Sequence, residues 1–333
     1  MPRAVRTDAG LNAFLAFSEK SRSLLELADR YRALPDVPVL IEGESGVGKE
    51  LLARYLHGGG PEDARPFVAV NCGAIPTTLV ESELFGYAPG AFTGAQAQGA
   101  LGKVQAANGG TLFLDEIAEL DLSSQTKLLR FLESGVFYPV GSTRETVVRT
   151  RILCATNRCL LDAVAAGEFR RDLYYRIHVG YLNVPPLRER PEEIMPFTRH
   201  FLREFGARFA NPFGRIDPGA ERLLMRAPWE GNVRELRNTI ERVVLTEKGP
   251  VLTARHLAFL RREPAAPVPL PQHGLAEAAL PEEGFDLDAT MLRLLQRALE
   301  KHGYHQTRTA RYLRLSRDAL RCRMRKLPPP PPR

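Results

Sequence analysis

Eight consecutive residues, Gly43-Glu44-Ser45-Gly46-Val47-Gly48-Lys49-Glu50, join three glycines to one lysine, directly behind the apolar run Val39 to Ile41 and ahead of a helical run from Leu51. That combination suits phosphate. Glycines let backbone N–H groups wrap phosphate oxygens, the start of the following helix favours negative charge, and Lys49 reaches the terminal phosphates. A second pair of groups, Asp115-Glu116, ends the apolar stretch Thr111 to Leu114. Asp115 at a strand end can hold Mg2+, and Glu116 can position and polarise an attacking water. Glu50 stands where most phosphate-binding loops carry Ser or Thr for the magnesium, so the metal must lean on other groups.

Strands have to hold these residues. The apolar runs Val39 to Ile41, Phe67 to Val70, Thr111 to Leu114, Arg151 to Ala155 and Tyr181 to Val184 alternate with helical stretches. Such alternation predicts an α/β fold with a parallel sheet covered on both faces. From Pro191 to about Leu260 the strands stop, and helical spacing over Pro191 to Phe205 and Gly231 to Glu247 predicts a smaller all-helical unit. Pro264, Pro267, Pro269, Pro271 and Pro281 then mark an extended linker. Past it, Leu287, Met291, Leu294, Leu295 and Ala298 share one face of a helix over Asp286 to His302, which Gly303 stops. A shorter helix over Thr307 to Tyr312, a turn at Leu313-Arg314-Leu315 and a helix over Ser316 to Lys326 form a helix-turn-helix. Ser316 caps the last helix, Leu320 and Met324 face inward, and Arg317, Arg321, Arg323 and Arg325 project toward DNA.

Composition agrees with a water-soluble protein: 44% of residues are hydrophobic and 26% charged. No run approaches the roughly 20 apolar residues that span a bilayer, and no secretory signal is visible. Cys72, Cys154, Cys159 and Cys322 lack metal-ligand spacing, which fits reduced packing residues in the cytoplasm. The formal charge of +7 is concentrated at one end, where residues 307–326 hold eight basic side chains against one acid, Asp318. An anionic partner is expected there.

The loop Gly43 to Glu50, the stretch Glu81-Ser82-Glu83-Leu84-Phe85-Gly86 and the run Gly90-Ala91-Phe92-Thr93-Gly94-Ala95 together resemble the AAA+ central domain of bacterial enhancer-binding proteins, the sigma-54 activators. The resemblance runs from about Phe14 to Leu260 and implies an ATPase that remodels sigma-54 RNA polymerase from a distant site on double-stranded DNA. It makes Gly90, Ala91, Phe92, Thr93, Gly94 and Ala95 the loop that touches sigma-54. It implies that Asn71 restrains Glu116 until sigma-54 is engaged and that Thr156 and Asn157 sense the terminal phosphate. Within Phe169 to Arg176 it implies that Arg170 and Arg176 reach a neighbouring subunit's ATP, hence a ring, hexameric by analogy. In Gly231 to Leu236 it makes Arg234 a phosphate sensor of a helical lid. Residues 285–327 resemble the Fis-type DNA-binding end of the same family.

Four departures stand out: Tyr138-Pro139 where a polar residue commonly precedes Val140-Gly141, Glu230 for the Pro common after Trp229, Val47 for a common Thr, and Arg314 at a turn position that is often Gly. The expected layout is a short segment over 1–13, the α/β ATPase core over 14–190, the lid over 191–261, the linker over 262–284, the helix-turn-helix over 285–327 and a Pro-rich tail over 328–333. The segment over 1–13 is too short for a receiver or sensory domain, so control is expected from a separate regulatory protein, from expression level, or not at all. The alternative is a DNA-binding regulator that uses ATP only to assemble. The Gly90 to Ala95 loop with Glu116, Arg170 and Arg176 favours remodelling.

Overall fold

The computed structural model describes residues 14–58, 65–92, 94–260, 287–315 and 320. They fall in two units divided at Arg262.

In the first unit five strands form one parallel sheet. β1 is Val39–Glu42, β2 Phe67–Asn71, β3 Thr111–Asp115, β4 Arg151–Thr156 and β5 Gly180–Asn183. Their order across the sheet is β2, β3, β4, β1, β5, with every pairing parallel. Alternate side chains enter two cores. Leu40, Leu112, Leu114 and Cys154 pack with Leu128, Phe131 and Leu173 on one face. Val39, Ile41, Phe113 and Leu153 pack with Leu25, Leu52 and Leu56 on the other. Burial on both faces is why these strands read as continuous apolar runs.

The first four strands each extend one residue beyond their apolar run, to Glu42, Asn71, Asp115 and Thr156. Register aligns those ends: Asn71 is opposite Asp115, and Glu42 is opposite Thr156. The carboxyl edge of the sheet therefore gathers polar groups, where open α/β sheets place their ligands. β5 begins and ends one residue earlier than its apolar run, because Gly180 N donates to Pro38 O at 2.9 Å and starts the ladder there.

The helices Ile194–Arg208, Pro218–Arg226 and Asn232–Thr246 build a separate core around Phe201, Phe205, Trp229 and Ile240. Asp217 caps the second of them by accepting from Ala220 N at 3.3 Å, and buried Trp229 donates through Nε1 to Leu224 O at 2.8 Å. This part is not purely helical as expected. Arg215–Ile216 and Val251–Leu252 pair in parallel, a two-residue tie between loops too short to carry any alternation.

The second unit holds the helices Leu287–Lys301 and Gln306–Tyr312, close to their expected spans. Leu295, Leu299, Ala310 and Leu320 form its core. Met291 and Leu294, expected on the buried stripe, are exposed instead, because the packing partners meet only the later turns of the helix. Gly303 ends the helix at φ +58° and Arg314 sits in the turn at φ +55°. Ser316, Arg317, Arg321, Arg323 and Arg325 lie outside the described residues, as do Thr93, the segment 1–13, the linker and the tail.

Candidate active site

Between β1 and the helix Lys49–His57 the backbone takes left-handed or otherwise glycine-favouring angles at Gly43 (φ +155°), Gly46 (φ +80°) and Gly48 (φ +105°). The loop curls around the Lys49 ammonium, which donates to Gly43 O at 2.7 Å and Glu44 O at 3.1 Å. Lys49 is 9% exposed. Burial lowers its pKa, and the carboxylates of Asp115 and Glu116 oppose that shift. Those two acids face Lys49 from the end of β3, and the Asp115 carboxylate accepts from Glu116 N at 3.0 Å. Glu116 is held at φ +54°, a strained conformation for a non-glycine residue and one that clusters at functional sites.

Asn71 ends β2 and caps the turn Cys72–Ala74 by accepting from Ala74 N at 3.0 Å. Both it and Glu116 crowd Gly73: a carbon added there would lie 2.4 Å from Glu116 Oε2 and 3.5 Å from Asn71 Oδ1. Asn157, just past β4, reaches the same cleft. Thr156 does not line it. Its hydroxyl is fully buried and accepts from Arg158 N at 3.0 Å.

The helical part closes over this loop. Arg234 N donates to Gly46 O at 3.2 Å and Arg234 Nη1 donates to Ser45 Oγ at 3.0 Å. Asn232 Nδ2 donates to Ser45 O and Glu44 Oε2, while Arg188 grips Glu44 with two bonds of 2.7 and 2.8 Å. Those bonds from Arg188 hold the Glu44 carboxyl below its ordinary value. The result is a cleft of about 540 Å³ whose walls include Ser45, Gly46, Val47, Gly48, Lys49, Glu50, Asn71, Asp115, Glu116, Asn157 and Arg234. A nucleotide fits this donor set: glycine backbone and one ammonium for the phosphates, apolar Phe14, Leu15, Phe197 and Phe201 for the base. Mg2+ fits the acidic edge, where Asp115 offers a carboxylate. The Glu50 carboxylate is taken by Arg54 at 2.8 Å.

Arg170 and Arg176 lie elsewhere. Arg170 pairs with Asp172 through Nη2 at 2.6 Å, and Arg176 donates to Leu132 O at 2.6 Å. Neither lines the cleft of its own chain. Also distinct is the loop beyond the antiparallel pair Gly86–Tyr87 and Ala100–Leu101. Gly90 and Gly94 have φ +72° and +92°, and half-exposed Phe92 lies with its ring 5.0 Å from that of Tyr87. The base of this loop rests on the strand-like segment at Val140, through Ala88 N to Val140 O at 2.9 Å and Val140 N to Gly86 O at 2.9 Å.

Sequence comparison finds the Sigma-54 interaction domain over residues 14–183, the AAA+ ATPase lid domain over 188–267 and the bacterial regulatory protein Fis family over 292–327. The sigma-54-dependent transcriptional regulator SfnR of Pseudomonas fluorescens is 39% identical over 341 residues, covering 98% of this chain and 92% of that protein. The chain belongs to the sigma-54-dependent regulators. Phenol regulator MopR of Acinetobacter guillouiae is 41% identical over 87% of this chain, which spans about half (52%) of MopR's length. Among solved structures, NtrX from Brucella abortus in complex with ATP is similar at a TM-score of 0.66 and 29% identity, over 96% of this chain and 70% of that one.

The AAA+ core with its lid and the Fis-type end expected of a sigma-54-dependent regulator are thus present. Residues of the cleft's far wall were not legible in the sequence. Phe197, His200, Phe201 and Glu204 lie on one lid helix, and their spacing reads as a core stripe. Burial lowers the His200 pKa, opposed by Glu204. Arg190 and Glu193, both fully buried, were missed as well. Only their tertiary partners identify them. Among the described residues no group of side chains could form a separate metal centre, and no helix is long and apolar enough to cross a membrane.

Proposed function

We propose that this chain is an ATP-hydrolysing activator that remodels the sigma-54 RNA polymerase closed complex from an upstream DNA site, working in the cytoplasm as a ring, hexameric by family analogy. The observation that carries the reading is the convergence of Lys49, Asp115, Glu116, Asn157 and Arg234 on one cleft from separate segments. Lys49 and the loop amides hold the phosphates, and Arg234 brings the lid onto them. Glu116 orients a water and takes its proton as the new oxygen bond to the terminal phosphorus forms and the bond to the leaving ADP oxygen breaks. Asp115 would hold Mg2+, which would supply charge neutralisation for the chemistry.

Arg170 and Arg176, outside their own cleft, act on the neighbouring subunit's phosphates. Asn71 restrains Glu116 across Gly73, and Gly90 to Ala95 carries the nucleotide state to sigma-54 through the contact with Val140. Thr156 supports the phosphate-sensing position of Asn157. Arg317 and Arg321 read base edges, and Arg323 and Arg325 hold the DNA backbone.

Two substitutions test the catalytic assignment. Glu116→Gln is expected to keep ATP binding and lose at least ~100-fold in turnover, while Lys49→Ala loses binding itself. Near-normal hydrolysis by Glu116→Gln, measured as phosphate release, overturns it.

A further inference from the structure

Arg190 and Glu193 form an ion pair with side-chain exposures of 1% and 0% and an N–O distance of 2.8 Å. Burying two charges is costly, and an apolar pair of similar volume is often no less stable, so such a pair is weak evidence of a stabilising role. Its other bonds point to a different one. Arg190 Nη2 donates to Val47 O, in the phosphate-binding loop, at 3.2 Å, and Nη1 donates to Ser21 Oγ at 3.2 Å. Glu193 Oε1 accepts from Phe17 N at 2.9 Å and Ser18 N at 2.7 Å. Arg190 itself lines the cleft, and its Nε is buried with no partner among the described residues.

The segment gripped by Glu193 is a wall of the same cleft. Phe14 and Leu15 line it, and a carbon added at Gly48 would lie 3.5 Å from the Phe14 ring. Phe17 packs edge-on against Phe197 of the lid at 5.3 Å. Three stretches distant in sequence therefore meet at one guanidinium: the entry segment, the phosphate loop and the start of the lid.

We propose that Arg190, with Glu193, is a positioning pair for nucleotide, setting the apolar wall that receives the base at a fixed distance from the loop that receives the phosphates. The inference rests on the nucleotide-binding reading above. A planar guanidinium suits this place, because one group serves a carboxylate, a hydroxyl and a carbonyl at once, which the single ammonium of lysine does only in part.

The test uses the full chain and calorimetric binding of two probes, ATP and inorganic tripolyphosphate. Arg190→Met combined with Glu193→Gln removes both charges together and keeps an acceptor for Phe17 N and Ser18 N, so no lone buried charge is left to unfold the protein. The double variant is expected to unfold within a few degrees of the parent and to bind ATP roughly tenfold more weakly, with tripolyphosphate changed by less than about twofold. Arg190→Lys is expected to recover part of the lost ATP affinity. Equal losses for both probes, or an unchanged ATP affinity in the double variant, overturn the positioning role. Failure of the nucleotide-binding reading shows separately, as absence of ATP binding by the parent protein.

Discussion

A carbon added at Gly46 would sit 2.3 Å from the Gly231 carbonyl oxygen, whereas one added at Gly90 or Gly94 would meet nothing within 4 Å among the described residues. All three glycines have positive φ, so residue type and backbone angle are shared and the surroundings are opposite. In the phosphate loop glycine is needed because another part of the chain lies against it. In the loop over 90–95 it is needed only for the backbone angle, and the exposed Phe92 is left in reach of an outside surface. The first glycine is enclosed and the other two are open, and the same amino acid serves both.

The comparison breaks most sharply at Gly46. Gly46→Ala is expected to push the lid off the phosphate loop, severing the bond from Arg234 N, and to weaken ATP binding at least ~100-fold in a titration. A variant that binds ATP like the parent would mean that the lid contact is not part of the site. Gly90→Ala is expected to do less to the fold, costing about 1–2 kcal/mol of left-handed strain in chemical denaturation. Its ATP turnover stays within about twofold of the parent, and open-complex formation on a sigma-54 promoter falls at least ~10-fold. Loss of turnover and of transcription in equal measure would erase the distinction between the two loops.

The smallest effect belongs to Glu44. Arg188 holds its carboxyl below the ordinary 4.5, so the pairing is complete above that value and is lost as the pH falls through the lowered one. Because both side chains are about half exposed, Glu44→Gln is expected to weaken ATP binding only about threefold. The deficit should be flat through the neutral range and shrink in acid, as the parent's own carboxylate protonates. A deficit that grows in acid would show that some other group controls the latch.

Much of the core was legible because its strands are buried on both faces and bounded by glycines and acids. The reading stopped one residue short at Glu42, Asn71, Asp115 and Thr156 for one reason: apolar character ends where burial ends, but the hydrogen-bond ladder runs on to the first polar residue. Two of those polar residues, Asn71 and Asp115, line the cleft. Lys49, Asp115 and Glu116 could be found by local spacing, and Arg234 only through the resemblance of Gly231 to Leu236 to a lid motif. Arg190 could not, since its partners Ser21 and Val47 are 169 and 143 residues away and nothing beside it in sequence marks it as buried. The short pairs at Gly86–Tyr87 and Arg215–Ile216 are two residues long, too few for an alternation to register.

The clip between Asn232 and Glu44 joins residues 188 positions apart. A ribosome adding about 5–20 residues per second needs roughly 10–40 s to cover that interval. Throughout that time the phosphate loop of the nascent chain waits without the lid that fixes its shape. Strands β1 to β5 can pair as they emerge, but the nucleotide site is completed only when the helix Asn232–Thr246 arrives, near the end of the first unit's synthesis.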